Sequence, residues 1–140
     1  MKLSFRYQLM FSFALISILV GILNYLLFQP DIILFKITAH PVIPYYIKNN
    51  FIRHFFTGYF SDITWCFSLC LIAFALAELN YIKRSGKMLL LLLPFIAEGL
   101  QYTRFIKGTF DWYDVLMYAI IIAFFVLFFP TLKTYVYEKK

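Results

Sequence analysis

The chain has 140 residues, of which 63% are hydrophobic, 22% aromatic and only 14% charged, with a formal net charge of +6. A soluble domain carries about a quarter charged residues, so composition excludes one and points to a single membrane domain over residues 1–140. The cations sit in short clusters beside apolar runs, which suits the lipid bilayer as partner and argues against nucleic acid.

The first apolar run, residues 7–28, is uncharged and is followed by Pro30, which stops a helix. Lys2 and Arg6 precede it as in a signal peptide. Its length of about 22 residues exceeds the roughly 7–15 of a signal h-region, and no small-x-small cleavage site follows, so an uncleaved anchor is expected. Residues 31–61 mix isoleucine and aromatics with scattered cations and Pro41 and Pro44. Such a segment belongs in the outer interface, with a short amphipathic helix over 46–57; a re-entrant segment is the alternative. Further spans are predicted at 62–81, 88–104 and 113–130, with Pro94 as a kink and Pro130 as a stop. The last two are short, so Arg104, Lys107 and Lys133 are expected to reach past their ends by snorkelling. The fold class read from this pattern is all-α: a polytopic integral membrane protein, a four-helix transmembrane bundle with a long outer interfacial loop between its first two helices.

Lysine and arginine placement gives the orientation. The N-terminus, the 83–87 link and the C-terminus hold Lys2, Arg6, Lys83, Arg84, Lys87, Lys133, Lys139 and Lys140; the other side holds Lys36, Lys48, Arg53, Arg104 and Lys107. The positive-inside bias puts both termini in the cytoplasm, in a bacterial cytoplasmic (inner) membrane. Small residues mark the packing faces. Ala14, Ser17, Gly21 and Asn24 form one helical stripe in the first span, and Cys66, Cys70, Ala73 and Ala77, preceded by Asp62, form another in the second.

One polar stretch, "EGLQYTRFIKGTFDWYD", interrupts the greasy C-terminal half. Glu98 lies within or at the edge of hydrocarbon, where a carboxylate has to face protein or water and find a partner. Gln101 follows on the same helix face, and Asp114 opens the last span, where it suits a helix N-terminus or caps it. Asn24, Asp62, Glu98, Gln101 and Asp114 are placed at one level near the outer face, with Arg104, Lys107 or Arg53 as the expected cationic partners of Glu98. These residues, with Arg104 and Lys107 included, make up the candidate binding pocket. Arg104 and Lys107 also read as plain interfacial anchors, and Gln101 as an interfacial amide.

No catalytic, metal or cofactor motif accompanies them: H-E-x-x-H, G-x-S-x-G and a phosphate-cradling glycine loop are all absent. His40 and His54 lack metal-ligand spacing, and Cys66 and Cys70 read as small packing residues.

Glu98 and Gln101 in "EGLQ", a basic loop residue such as Lys107, and Asp114 in "TFDWYDV" form an ordered pattern that resembles the VanZ-like family of small bacterial membrane proteins; "SDITWCFSL" in the second span is similar too. The resemblance covers roughly residues 60–130. It departs at Tyr118 and Ile121, where that family often has asparagine and glycine. Members are linked to reduced susceptibility to glycopeptide antibiotics, so the resemblance implies a cell-envelope role. Three function classes stay open. One is an envelope accessory protein whose outer pocket recognises a lipid head group or lipid-linked cell-wall precursor. The others are a small proton-coupled transporter acting as a homo-oligomer and a purely structural subunit. An enzyme is a remote fourth, with Glu98 or Asp62 as general base.

Overall fold

The computed structural model describes residues 4–28, 49–106 and 109–137, the last eight of these by backbone alone. The described residues are helical, with no strand: α1 (Phe5–Phe28), α2 (Asn50–Glu78), α3 (Arg84–Tyr102) and α4 (Trp112–Tyr137). The chain divides into two compact units, Met1–Ser68 and Leu69–Lys140, and α2 contributes to both.

In the first unit α1 meets the start of α2 through small and hydroxyl-bearing residues. Ala14, Gly21 and Asn24 are buried, as expected of the stripe. At Gly21 a Cβ would stand 2.6 Å from Thr64 Oγ1 and 2.7 Å from Trp65 Nε1, so only glycine permits the approach. Four hydrogen bonds to backbone carbonyls use that closeness: Ser17 Oγ donates to Thr64 O (2.9 Å), Ser61 Oγ to Gly21 O (3.3 Å), Ser68 Oγ to Ala14 O (3.0 Å) and Asn24 Nδ2 to Phe56 O (2.7 Å). Asn24 Nδ2 also reaches Ser61 Oγ at 2.8 Å. Between apolar helices in lipid each such bond stabilises by about 0.6 kcal/mol on average, and close packing supplies the rest.

The α2 face on this seam is Ser61, Thr64, Trp65 and Ser68. The Asp62–Cys66–Cys70–Ala73–Ala77 stripe lies on another face, where Cys66, Cys70 and Ala73 are buried as a packing face requires, and neither cysteine is in a disulfide.

In the second unit aromatic rings do the packing. Phe74 of α2 meets Phe125 and Phe129 of α4 at 5.9 and 4.7 Å between centroids, and Lys87 Nζ sits 4.5 Å over the Phe74 ring. Phe95 of α3 meets Tyr118 of α4 edge-on at 6.1 Å. Asn80, at φ 60°, closes α2 with a left-handed cap in which Asn80 N donates to Ala77 O and Tyr81 N to Leu76 O.

Several boundaries differ from expectation. Residues 50–61, expected as interfacial loop with a separate helix over 46–57, are the first turns of α2. Asn49 caps that helix by accepting the N–H groups of Phe51 and Ile52, and no proline follows to break it. Gly58 is absorbed in a π turn, Phe55–Tyr59. The remainder of the expected loop, residues 31–48, lies outside the described residues. α4 continues past Pro130 instead of stopping there. Among the described residues three helices, not four, are long and apolar enough to cross a membrane: Phe5–Phe28, Asn50–Glu78 and Trp112–Phe129. The expected third span, 88–104, is not among them. α3 is kinkable at Pro94, ends at Tyr102, and carries Lys87, Glu98 and Gln101 within its 19 residues.

Candidate functional site

The polar residues gathered in the second unit lie where α3 ends and α4 begins. α3 closes with the same left-handed cap as α2: Arg104 takes φ 58°, its N–H donates to Gln101 O (2.9 Å), and Phe105 N donates to Leu100 O (2.9 Å). Arg104 is exposed and serves this turn; it is not the partner of Glu98. A side chain in the left-handed region costs roughly 1–2 kcal/mol, partly offset by glycine's greater freedom when unfolded. Arg104→Gly is therefore expected to stabilise the protein by about 0.5–1 kcal/mol in thermal unfolding. A lowered melting temperature would show instead that the guanidinium holds something in place.

Asp111 precedes α4, and its Oδ1 accepts the N–H of Tyr113 at 2.8 Å. The helix cap is thus Asp111, and Asp114 is an acidic residue in the first turn of α4, half-buried. In a capping box the side chain three residues into the helix returns to the N–H of the cap residue. Here Glu98 of α3 accepts the Asp111 N–H, Oε2 to N at 3.4 Å. That bond fastens the end of α3 to the start of α4.

Glu98 is 5% exposed. Its hydrogen bond from Asp111 is the only one it makes among the described residues, and it is long. The sequence offers Arg104, Lys107 or Arg53 as holder of this carboxylate; among the described residues the group that meets it is the Asp111 backbone N–H. Arg53 belongs to the other unit, where it lines a groove with Asn50, His54 and Thr57, and Lys107 lies outside the described residues. Gln101, three residues on, is half-buried. Tyr102, Phe110 and Trp112 flank this end as an edge-on aromatic row, with centroids 5.1 and 4.9 Å apart.

The single polar level read from the sequence is divided between the units. Glu98, Gln101, Asp111 and Asp114 belong to the second. Asn24 and Asp62 belong to the first, where Asn24 binds α2 and Asp62 is half-buried. Asp111 was missed as a site residue, although D-x-x-D ahead of an apolar run is a helix-start signature that the sequence displays. Among the described residues no group of three or more His, Cys, Asp or Glu side chains is placed to hold a metal ion. What the arrangement offers chemically is acceptor capacity: a buried carboxylate with lone pairs to spare, bonded to the Asp111 backbone, with Gln101 three residues on in α3 and Asp114 in the first turn of α4. Compared with protein-family models, with curated proteins and with solved structures, the chain finds no match.

Proposed function

We propose that this chain is an accessory membrane protein of the bacterial cell envelope, VanZ-like in kind, whose acidic end recognises the polar head of a lipid or lipid-linked cell-wall precursor. The observation that carries the reading is Glu98, a carboxylate 5% exposed whose one hydrogen bond among the described residues is a 3.4 Å contact to a backbone N–H. Burying a carboxylate is costly unless donors surround it, so a site of this kind favours a ligand rich in hydroxyl or ammonium groups. Gln101, Asp111 and Asp114 would bind the same head, with Tyr102 and Trp112 against its apolar parts. In this reading α3 crosses as a fourth, short span in company with the other three helices, and both termini are cytoplasmic. The basic clusters at the termini and the 83–87 link support that arrangement.

The test is Glu98→Gln. The glutamine carbonyl still accepts the Asp111 N–H, so folding and melting temperature should hold. Retention of lipid-linked wall precursor by the purified protein is expected to fall about ten- to a hundredfold, the size of one lost charge-assisted hydrogen bond. Unchanged retention would refute the reading. A second reading, a proton-coupled transporter with Glu98 as proton carrier, rests on the same lack of a cationic partner among the described residues. It requires that wild-type protein in liposomes move cations against a proton gradient and that the glutamine variant fail to.

A further inference from the structure

Asn50, Arg53, His54 and Thr57 recur at helical spacing along one edge of α2 and line an open groove of about 240 Å³. The backbone there has little left to give. Asn49 Oδ1 accepts the N–H groups of Phe51 (3.0 Å) and Ile52 (3.2 Å), and Arg53 N donates to Asn49 O at 2.9 Å. The Thr57 hydroxyl proton goes to the carbonyls of Arg53 (2.9 Å) and His54 (3.4 Å). The donors facing outward are therefore side chains: the Asn50 amide, the His54 ring and the Arg53 guanidinium, a planar fork suited to two oxygens of one phosphate. No acidic residue lies between Asn49 and Ser61 to neutralise them.

The flanks of the groove are apolar. Phe51 is 81% exposed and Ile52 is exposed as well, while Phe28, Phe55, Phe56 and Phe60 stack into a ring cluster just beyond. α2 has 29 residues, about 43 Å at 1.5 Å per residue, whereas hydrocarbon is about 30 Å thick. Its apolar part runs from Phe55 toward Glu78, so the surplus turns fall at the Asn50 end. There the polar edge lies at the depth of lipid phosphates and the exposed Phe51 in the adjoining acyl boundary.

We propose that the Asn50–Arg53–His54–Thr57 groove binds the phosphodiester headgroup of an anionic phospholipid. The assignment rests on α2 lying in a bilayer and is independent of the role of Glu98.

The full chain would be released from micelles containing equal amounts of phosphatidylglycerol and a diacylglycerol with the same tails, and retained lipid read by native mass spectrometry. Wild type should retain phosphatidylglycerol preferentially. Arg53→Gln should lose that retention about tenfold and Arg53→Lys only part of it, because lysine keeps the charge and loses the fork. Arg53 is exposed, so both variants should melt like wild type; Asn50→Ala supplies a second, uncharged probe and should lose a smaller share. Equal retention of both lipids by wild type, full retention by Arg53→Gln, or displacement by millimolar inorganic phosphate would each overturn the assignment, the last by making free phosphate the ligand.

Discussion

Gly21→Leu is expected to separate α1 from α2 and to cost about 3 kcal/mol or more, the upper range for overpacking. The first carbon of any side chain there would stand 2.6 Å from Thr64 Oγ1 and within 2.8 Å of two atoms of the Trp65 ring. Trp65 is exposed along one side and has room to swing, but Thr64 does not: its hydroxyl is tied to Ser61 O at 2.7 Å. A shift of the helix would also lengthen the Ser61 bond to the Gly21 carbonyl, already 3.3 Å. Gly99 is the control. Nothing lies within 4 Å of a Cβ built on it. Alanine there should stabilise α3 by up to about 1 kcal/mol through helix propensity alone, while alanine at Gly21 should destabilise. Thermal unfolding of the two alanine variants should thus shift in opposite directions; a common sign would refute the close-contact account.

Asn24→Leu is the second large effect, a loss of about 1–3 kcal/mol. Leucine shares the branched skeleton of asparagine but donates nothing, so Phe56 O loses its 2.7 Å bond and Ser61 Oγ its 2.8 Å bond. One gain opposes this. Asn24 Oδ1 is buried without a hydrogen-bond partner among the described residues, and that cost disappears with the amide. Two lost bonds, one of them to a carbonyl inside a π turn, outweigh one relieved acceptor. Ser17→Ala, which removes a single bond to Thr64 O, should cost less than about 1 kcal/mol. Hydrogen exchange at the amides of Tyr59–Asp62 should accelerate in Asn24→Leu and not in Ser17→Ala. Equal exchange in the two variants would mean that the amide does not hold the turn.

Helices written in long apolar runs were legible from residue order, because length and hydropathy alone select them: α1, the apolar part of α2 and the start of α4 lie close to where the sequence puts them. Asn24 and Gly21 were legible as packing residues through their spacing. Their partner face was not, because serine and threonine on α2 carry no size signal as strong as that of Cys66, Cys70 and Ala73, and only the carbonyls opposite give Ser61 and Ser68 their purpose. The start of α2 was hidden by its own composition. Arg53, His54 and Thr57 read as interface, and a chain can meet an interface as a loop or as the end of a long helix.

In the second unit, Glu98 was found because a carboxylate amid leucines is expensive, and Asp114 because it begins an apolar run. The bond from Asp111 N to Glu98 could not be read in advance, since a backbone N–H has no letter in the sequence.

The π turn at Phe55–Tyr59 has a geometric consequence for what lies upstream of it. A turn with one extra residue advances the azimuth of everything before it by about 100° relative to an uninterrupted helix. Ser61, Thr64 and Ser68 are anchored to α1, so the angular setting of Asn50, Arg53 and His54 around the α2 axis is fixed by that single additional residue. Closing the turn to regular α-helix without removing a residue would leave the anchored seam intact and re-aim the cationic edge by more than a quarter of a revolution. The turn therefore acts as an indexing element, deciding which compass direction the polar end of α2 faces without altering how the helix is held.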